Sequence, residues 1–290
     1  MKENCISIMY CKEQQLNSIT EFAYKMNINR EHASTFCYKS KSAIREDFSK
    51  GISKNCVLAC WYDDEIIGIL NCFIDEAKNN ADCTILIDSK KCDYNIVARL
   101  LFEKFKASND TNMKYTFFFP VENVECSNFL ESINANRQVN EYYLIFEKKN
   151  VNINISDLNV IELPTDYYTS FIELHYTIFP GVYISGTDVI KDIGKKHNIY
   201  SIIEGGVLIA YSVLRLNRDK IATVEIIAVK EEFRGKGYGR AVLSYLIKAA
   251  FTSFEADKID LVVDGNNEKA IRLYLDLGFT IATENRCYIA

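Results

Sequence analysis

Apolar and polar positions along this chain recur with two periods, and their order predicts the elements. Residues 221–229 form a nearly unbroken apolar run rich in β-branched side chains, which predicts a strand. Beyond them Val242, Leu243, Leu246, Ile247, Ala250 and Phe254 recur at the spacing of one buried helix face, predicting a helix over 239–254. The same reading places a strand near Val160, helices over 168–179 and 187–196, and strands over 200–204 and 207–216. Gly205-Gly206 between the last two is a tight-hairpin signal. A strand over 259–263, a helix from about 267 to 276 and a strand over 279–288 complete the series.

The first half repeats this outline. Strands over 57–62 and 66–73 flank Asp63-Asp64-Glu65, and a strand near 84–88 leads to a helix over 95–106. A strand at 115–119, a helix near 125–133 and a strand at 142–146 follow. Asn123 precedes Asn267 by the same interval, to within two residues, as Asp64 precedes Gly206, which suggests duplication. The polar stretch 147–154 marks the expected boundary, giving domains 1–150 and 151–290. The fold class is α/β, with strands and helices mixed in each half.

Composition narrows the function. A net charge of −5 over 290 residues argues against nucleic-acid binding, which requires a broad basic face. No apolar stretch is long enough to span a bilayer and the first residues lack a leader pattern, so a cytoplasmic protein without membrane contact is expected. The ten cysteines contain no C-x-x-C pair, and His32, His175 and His197 are not grouped with them. Buried free thiols and no metal are the expectation.

The candidate chemistry lies just after the strand at 221–229. Only Gly51 and Gly68 occur in the first 180 residues, yet Gly235, Gly237 and Gly239 fall within five. A strand, a glycine-rich turn and a helix aim uncovered backbone N–H groups and a positive dipole end at an anion. Arg234, Lys236 and Arg240 add positive charge, which suits a pyrophosphate. The first half has no glycine between Ile87 and Val97, so it lacks this cradle. A nicotinamide-dependent oxidoreductase is a competing reading. The G-x-G-x-x-G spacing fails, because the third position is Arg240 counted from Gly235 and Val242 counted from Gly237.

Arg234-Gly235-Lys236-Gly237-Tyr238-Gly239 resembles the RxxGxG signature of the GNAT superfamily of acyl-CoA-dependent N-acyltransferases. Asn267, Ala270, Leu273-Tyr274 and Gly278-Phe279 resemble its second signature, in the expected order. The resemblance is strong over residues 155–290 and faint over 1–150. It implies two GNAT-like domains, each a twisted, mostly antiparallel sheet with flanking helices and a splayed central strand pair, the first copy degenerate. It further implies acetyl transfer from acetyl-CoA to a primary amine on a small molecule or peptide. The coenzyme would be held by residues 234–240 and Asn267, with its pantetheine arm along Ile227-Ala228-Val229 and the thioester oxygen near the Val229 N–H.

In this family Tyr274 occupies the position of the general acid; packing against Ala270 and Leu277 is its alternative role. Glu225 is the only carboxylate in its strand, and alternation places it on one face with Thr223 and Ile227. It is a candidate general base, or else an ion-paired side chain. Asn267 also suits a helix cap, and Gly278-Phe279 suits a helix end. Tyr183, in the loop at 179–186, is a candidate acceptor contact. A non-catalytic coenzyme A binder is the other reading. The N-terminal half has three open roles: shaping the acceptor site, acting as a pseudo-dimer partner within a monomer, or binding a regulator.

Overall fold

The computed structural model describes residues 6–109, 112–150, 158–217 and 220–290. The linker residues 151–154 therefore lie outside the described residues. Two compact units emerge, one of residues 1–141 with 283–290, the other of residues 142–282. The sequence placed the boundary at 150 and assigned each half its own last strand. In the structure each half's last strand belongs largely to the other half's unit.

The first unit contains β1 (Ile6–Tyr10), α1 (Leu16–Asn27), α2 (Lys41–Ser53), β2 (Val57–Tyr62), β3 (Glu65–Asp75) and β4 (Asn80–Ile87). It continues through α3 (Tyr94–Lys106), β5 (Lys114–Pro120), α4 (Val124–Ser132) and β6 (Asn136–Arg137). The second unit takes most of β7 (Glu141–Glu147), then β8 (Ile161–Glu162), α5 (Tyr168–Ile178), α6 (Gly186–Lys191), β9 (His197–Glu204) and β10 (Val207–Leu216). Next come β11 (Ile221–Val229), α7 (Tyr238–Thr252), β12 (Lys258–Asp264) and α8 (Glu268–Leu277). The final strand, β13 (Thr280–Ile289), gives residues 283–289 to the first unit.

The first unit's sheet runs β1-β2-β3-β4-β5-β13, with β6 beside β13. Every pairing in it is antiparallel except β4 with β5. That parallel pair is held only at Asn80–Cys83 against Lys114–Phe117 and opens beyond. One face carries α3 and α4 over Leu101, Phe105, Phe117 and Phe129; the other carries α1 and α2 over Ile19, Phe48, Val57 and Ile69. The elements of the first 56 residues, β1, α1 and α2, were not anticipated from the sequence. The nine cysteines among the described residues are free thiols and most are buried.

The second unit repeats the plan in the order β7-β12-β11-β10-β9-β8. Its parallel pair, β11 with β12, is held only at Ile221–Thr223 against Lys258–Asp260 and opens beyond. Asp260 closes the joined end, accepting hydrogen bonds from Tyr143 Oη at 2.9 Å and Thr223 Oγ1 at 2.6 Å. The helix α7 packs on one face through Val242, Leu243, Leu246, Ile247 and Ala250, all 0% exposed. Against the other face α5 and α6 bury Phe171 and Val189. The duplication is visible in the caps: Asn123 accepts from Cys126 N ahead of α4, and Asn267 accepts from Ala270 N ahead of α8.

Candidate active site

The open end of the β11–β12 split begins at a bulge. Leu214 pairs with Val224 but Val213 pairs with Ile226, so Glu225 is the extra residue. Its insertion reverses the facing of everything after it. Ala222 and Val224 pack with the α7 core, and so do Ile227 and Val229; Ile226 and Ala228 pack with the α5 core. Strict alternation had put Ile227 on the face of Thr223, and the bulge overturns that. The same bulge pushes the strand out of parallel with β12.

Past the bulge, β11 offers an unpaired edge. Lys230 N donates to Ile209 O on β10 at 2.9 Å. By the two-residue period of an antiparallel ladder, Ala228 also faces β10 while Ile227 and Val229 aim their N–H and C=O groups into the split. The Val229 carbonyl accepts from Arg234 Nε at 3.2 Å, leaving the Val229 N–H as the open donor there.

The turn that follows holds the glycines. Gly235 and Gly237 have φ of +78° and +88°, where a side chain would be strained. Among the described residues, the N–H groups of Gly235, Lys236 and Gly237 have no acceptor within the protein, and all three residues are exposed. Gly237 is the N-cap of α7 and brings no capping side chain. The first N–H groups of a fifteen-residue helix therefore point outward with its positive dipole end. Gly239 differs: an added Cβ would meet Val229 Cγ2 at 3.5 Å and Leu273 Cδ2 at 3.7 Å, both ordinary contacts. Packing does not require a glycine there, but the residue lines a cavity of about 600 Å3 with Ile227, Val229, Gly237, Asn267 and Leu273.

The basic side chains are more committed than the sequence suggested. Arg234 is tied to Val229 O, Lys236 stands 5.2 Å over the Phe233 ring, and Arg240 pairs with Asp276 at 3.3 Å. Tyr238 Oη donates to Glu204 at 3.0 Å. The main chain, more than these side chains, offers uncommitted donors.

A second cavity of about 260 Å3 lies deeper in the split, lined by Glu225, Ile227, Asn267, Leu273 and Tyr274. Tyr274, from the second turn of α8, is 9% exposed and sets its ring edge-on to Phe279 at 5.7 Å. Burial pushes its hydroxyl up to about 12. Asn267 caps α8 with its Oδ1, and among the described residues its Nδ2 has no partner. Gly278 ends α8 with φ of +104°, as expected.

Glu225 also lines this cavity. Its carboxylate is 2% exposed and surrounded by three groups. Arg215 Nε lies 2.9 Å and Tyr183 Oη 2.6 Å from one oxygen, and His197 Nε2 lies 2.6 Å from the other. Tyr183, expected to contact the acceptor, is 66% exposed with its hydroxyl committed to Glu225. His197 and Arg215 were missed. They face each other across β9 and β10, and only that register brings them to Glu225. The one signal in the sequence was an arginine on the strand paired with the bulged one.

The corresponding split in the first unit is occupied by its own chain. Tyr115 and Ala290 exchange both backbone bonds, so Phe118 aims its carbonyl away from β13 and toward β4. That carbonyl accepts from Thr35 N at 2.8 Å and Ser34 Oγ at 3.4 Å, while Asn123 Nδ2 holds Ala33 O at 3.0 Å. Besides lacking a glycine turn, this unit has plugged its groove.

No group of three or more metal-ligating side chains occurs among the described residues, and no helix among them is long and apolar enough to cross a membrane.

Known proteins share both the sequence of the second unit and the plan of both. The profile of the Acetyltransferase (GNAT) family matches residues 163–279. The [Ribosomal protein bS18]-alanine N-acetyltransferase of Escherichia coli K12 is 31% identical over 134 residues, covering 46% of this chain and 85% of that protein. A GCN5-related N-acetyltransferase from Sphaerobacter thermophilus has the same fold, with a TM-score of 0.74 at 8% identity over 98% of this chain and 95% of that one. So does a tandem GNAT protein from the clavulanic acid biosynthesis pathway, with a TM-score of 0.65 at 12% identity over 99% of this chain and 98% of that one. The matched region contains the bulged strand, the glycine turn and Tyr274, which leaves the oxidoreductase reading without support. The chain therefore belongs to the GNAT family of acetyltransferases and is an acyltransferase enzyme.

Proposed function

We propose that the C-terminal unit transfers an acetyl group from acetyl-CoA to a primary amine by direct attack. The observation that carries this reading is the set of unengaged N–H groups at Gly235, Lys236 and Gly237, next to a cavity edged by the free side of β11. Those amides would hold the diphosphate, Ile227 and Val229 would pair with the pantetheine amides, and the Asn267 Nδ2 would add a contact. The Val229 N–H would donate to the thioester oxygen as it gains negative charge.

An alkyl amine with a pKa of about 10.4 must lose a proton to attack, whereas a thiol of about 8.5 leaves readily as the thiolate. Tyr274, at about 12, is a weaker acid than the departing thiol. Its part is to donate a hydrogen bond to the sulfur, not to surrender its proton. The new C–N bond forms as the C–S bond breaks. The ammonium first releases one proton to solvent; as the C–N bond forms, the nitrogen's second proton passes to the Tyr183 oxygen while Tyr183 passes its own to Glu225, and the thiolate is protonated by solvent. Arg215, whose Nε donates to the carboxylate at 2.9 Å, holds Glu225 in place for that relay.

The acceptor is a primary amine on a small molecule or a peptide; the relative from Escherichia coli is named for a protein's alanine. Incubation with acetyl-CoA and a panel of polyamines, amino acids and N-terminal peptides, read by thiol release, tests the proposal. Amine-dependent release is expected, and its absence together with failure to bind coenzyme A would overturn it.

A further inference from the structure

The loop between α5 and α6 forms one wall of the cavity of about 260 Å3 in the split. Phe179 and Val182 line that cavity, and Tyr183 Oη donates to Glu225 at 2.6 Å. Little holds the loop in place. Pro180, Gly181 and Tyr183 are exposed, and Gly181 has φ of +83°. Val182 N donates to Phe179 O at 3.3 Å within the turn. Among the described residues, two further hydrogen bonds tie residues 180–184 to the rest of the unit. One is that of Tyr183, and the other joins Ile184 to His175 on α5.

His175 is 2% exposed, and both of its ring nitrogens are engaged. Nε2 lies 3.0 Å from Ile184 O, and Nδ1 lies 2.9 Å from Tyr211 Oη. A carbonyl oxygen only accepts, so the hydrogen sits on Nε2 and the ring donates to Ile184. That leaves Nδ1 to accept from the Tyr211 hydroxyl, which fixes the tautomer from the other side of the ring. Tyr211, on β10, is itself 0% exposed and packs edge-on to Phe171 at 4.7 Å. The imidazole is thus oriented from the sheet, and the loop hangs from the imidazole.

Packing supports the same arrangement. A Cβ on Gly186, where the loop enters α6, would stand 3.1 Å from Ile172 Cα and 3.3 Å from His175 Cβ. Both distances are tighter than ordinary contact. Without a side chain there, the end of the loop closes on α5 and Ile184 O comes within reach of the ring. At the other end, the Phe179 ring lies 5.8 Å from that of His175.

We infer that His175 is the positioning residue of the acceptor site. By holding Ile184 O it keeps Tyr183 against Glu225, and Phe179 and Val182 against the cavity. His175 acts through the loop and touches no substrate. This role rests on the acetyl-transfer reading of the site, whereas the anchorage of the loop is measurable without it.

His175→Phe removes the donor to Ile184 O and still fills the space. It is expected to lower kcat about tenfold or more and to raise the amine KM, as a misplaced reacting geometry does. The Kd for coenzyme A should change less than the amine KM, because the amides of Gly235, Lys236 and Gly237 belong to another segment. His175→Gln keeps an N–H for Ile184 O and should restore most of the rate. Hydrogen exchange read by mass spectrometry should quicken over 179–188 in His175→Phe and not in His175→Gln, with β9 and β10 unchanged. Tyr211→Phe, which deletes the hydroxyl that orients the ring, is the second probe if His175→Phe loses its near-ultraviolet dichroism. It should move rate and exchange in the same direction. The role is overturned if His175→Phe lowers only the thermal midpoint, or if His175→Gln, while folded, loses as much activity as His175→Phe. In a parent chain that transfers no acetyl group, the exchange comparison alone decides. A loop that loosens in His175→Phe and not in His175→Gln upholds the anchorage, and one that does neither overturns it.

Discussion

Tyr274 and Glu225 occupy one cavity in different states, and the difference separates their effects. Tyr274 has a buried ring and a hydroxyl that burial raises to about 12, so it remains a donor through any working pH. Tyr274→Phe is expected to lower kcat about 100-fold, the scale of one lost transition-state donor, while the Kd for acetyl-CoA stays the same. The rate should still rise with pH toward the amine's own value of about 10.4, because Tyr274 titrates above it. Glu225→Gln should act at the other end of the reaction, lowering kcat while leaving that rise in place, because the amine still deprotonates on its own. It should also destabilise the fold by about 1–3 kcal/mol, since an amide serves the Arg215 guanidinium poorly. Arg215 is 37% exposed, so solvent screening pulls that cost toward its lower end. Rate–pH profiles and thermal midpoints of the two variants check both statements. Tyr274 was legible because it stands within a linear motif. His197 and Arg215 were not, because the register of three strands makes them neighbours and no local spacing encodes register.

The turn and helix at 234–252 separate backbone need from ligand need. Gly237 has φ of +88°, so Gly237→Ala should cost about 1–2 kcal/mol of stability and also weaken coenzyme binding. Gly239 has no positive φ, and its added Cβ would make only contacts of 3.5 Å or more. Gly239→Ala should therefore leave the thermal midpoint within the range of neutral substitutions yet raise the Kd for acetyl-CoA at least tenfold, as titration calorimetry would show. Elements with strong periodicity were legible: 207–216 and 221–229 as strands, and α7 from its apolar stripe. The bulge was not, because an inserted residue looks like any other until its ladder partner is known. The predicted helix over 187–196 ends early at Lys191, and Gly194, with φ of +73°, marks the interruption.

At the scale of the molecule, the duplicated plan was legible in the repeated order of elements, but the ownership of terminal strands was not. Periodicity says that 142–146 and 279–288 are strands, and nothing local says which unit they complete. The second unit buries Leu144 and Phe146 at 0% exposure, and the first buries Tyr288 at 0% and Asn285 at 1%. A chain ending at Ala282 should therefore lose protection in residues 114–120 and 127–137, where Tyr288 and its neighbours pair, while α7 and β11 retain theirs. Hydrogen exchange read by mass spectrometry distinguishes the two regions. A fragment of residues 151–290 should fold poorly, since deleting Phe146 alone removes a side chain whose truncation costs about 3–5 kcal/mol.

This ownership of strands also has a consequence during synthesis. The first unit is translated first, yet its sheet lacks residues 283–290 until 142–282 have already emerged. On the ribosome it waits with the outer edge of β5 bare, so a nascent chain of this protein should depend on chaperones longer than its domain sizes would suggest.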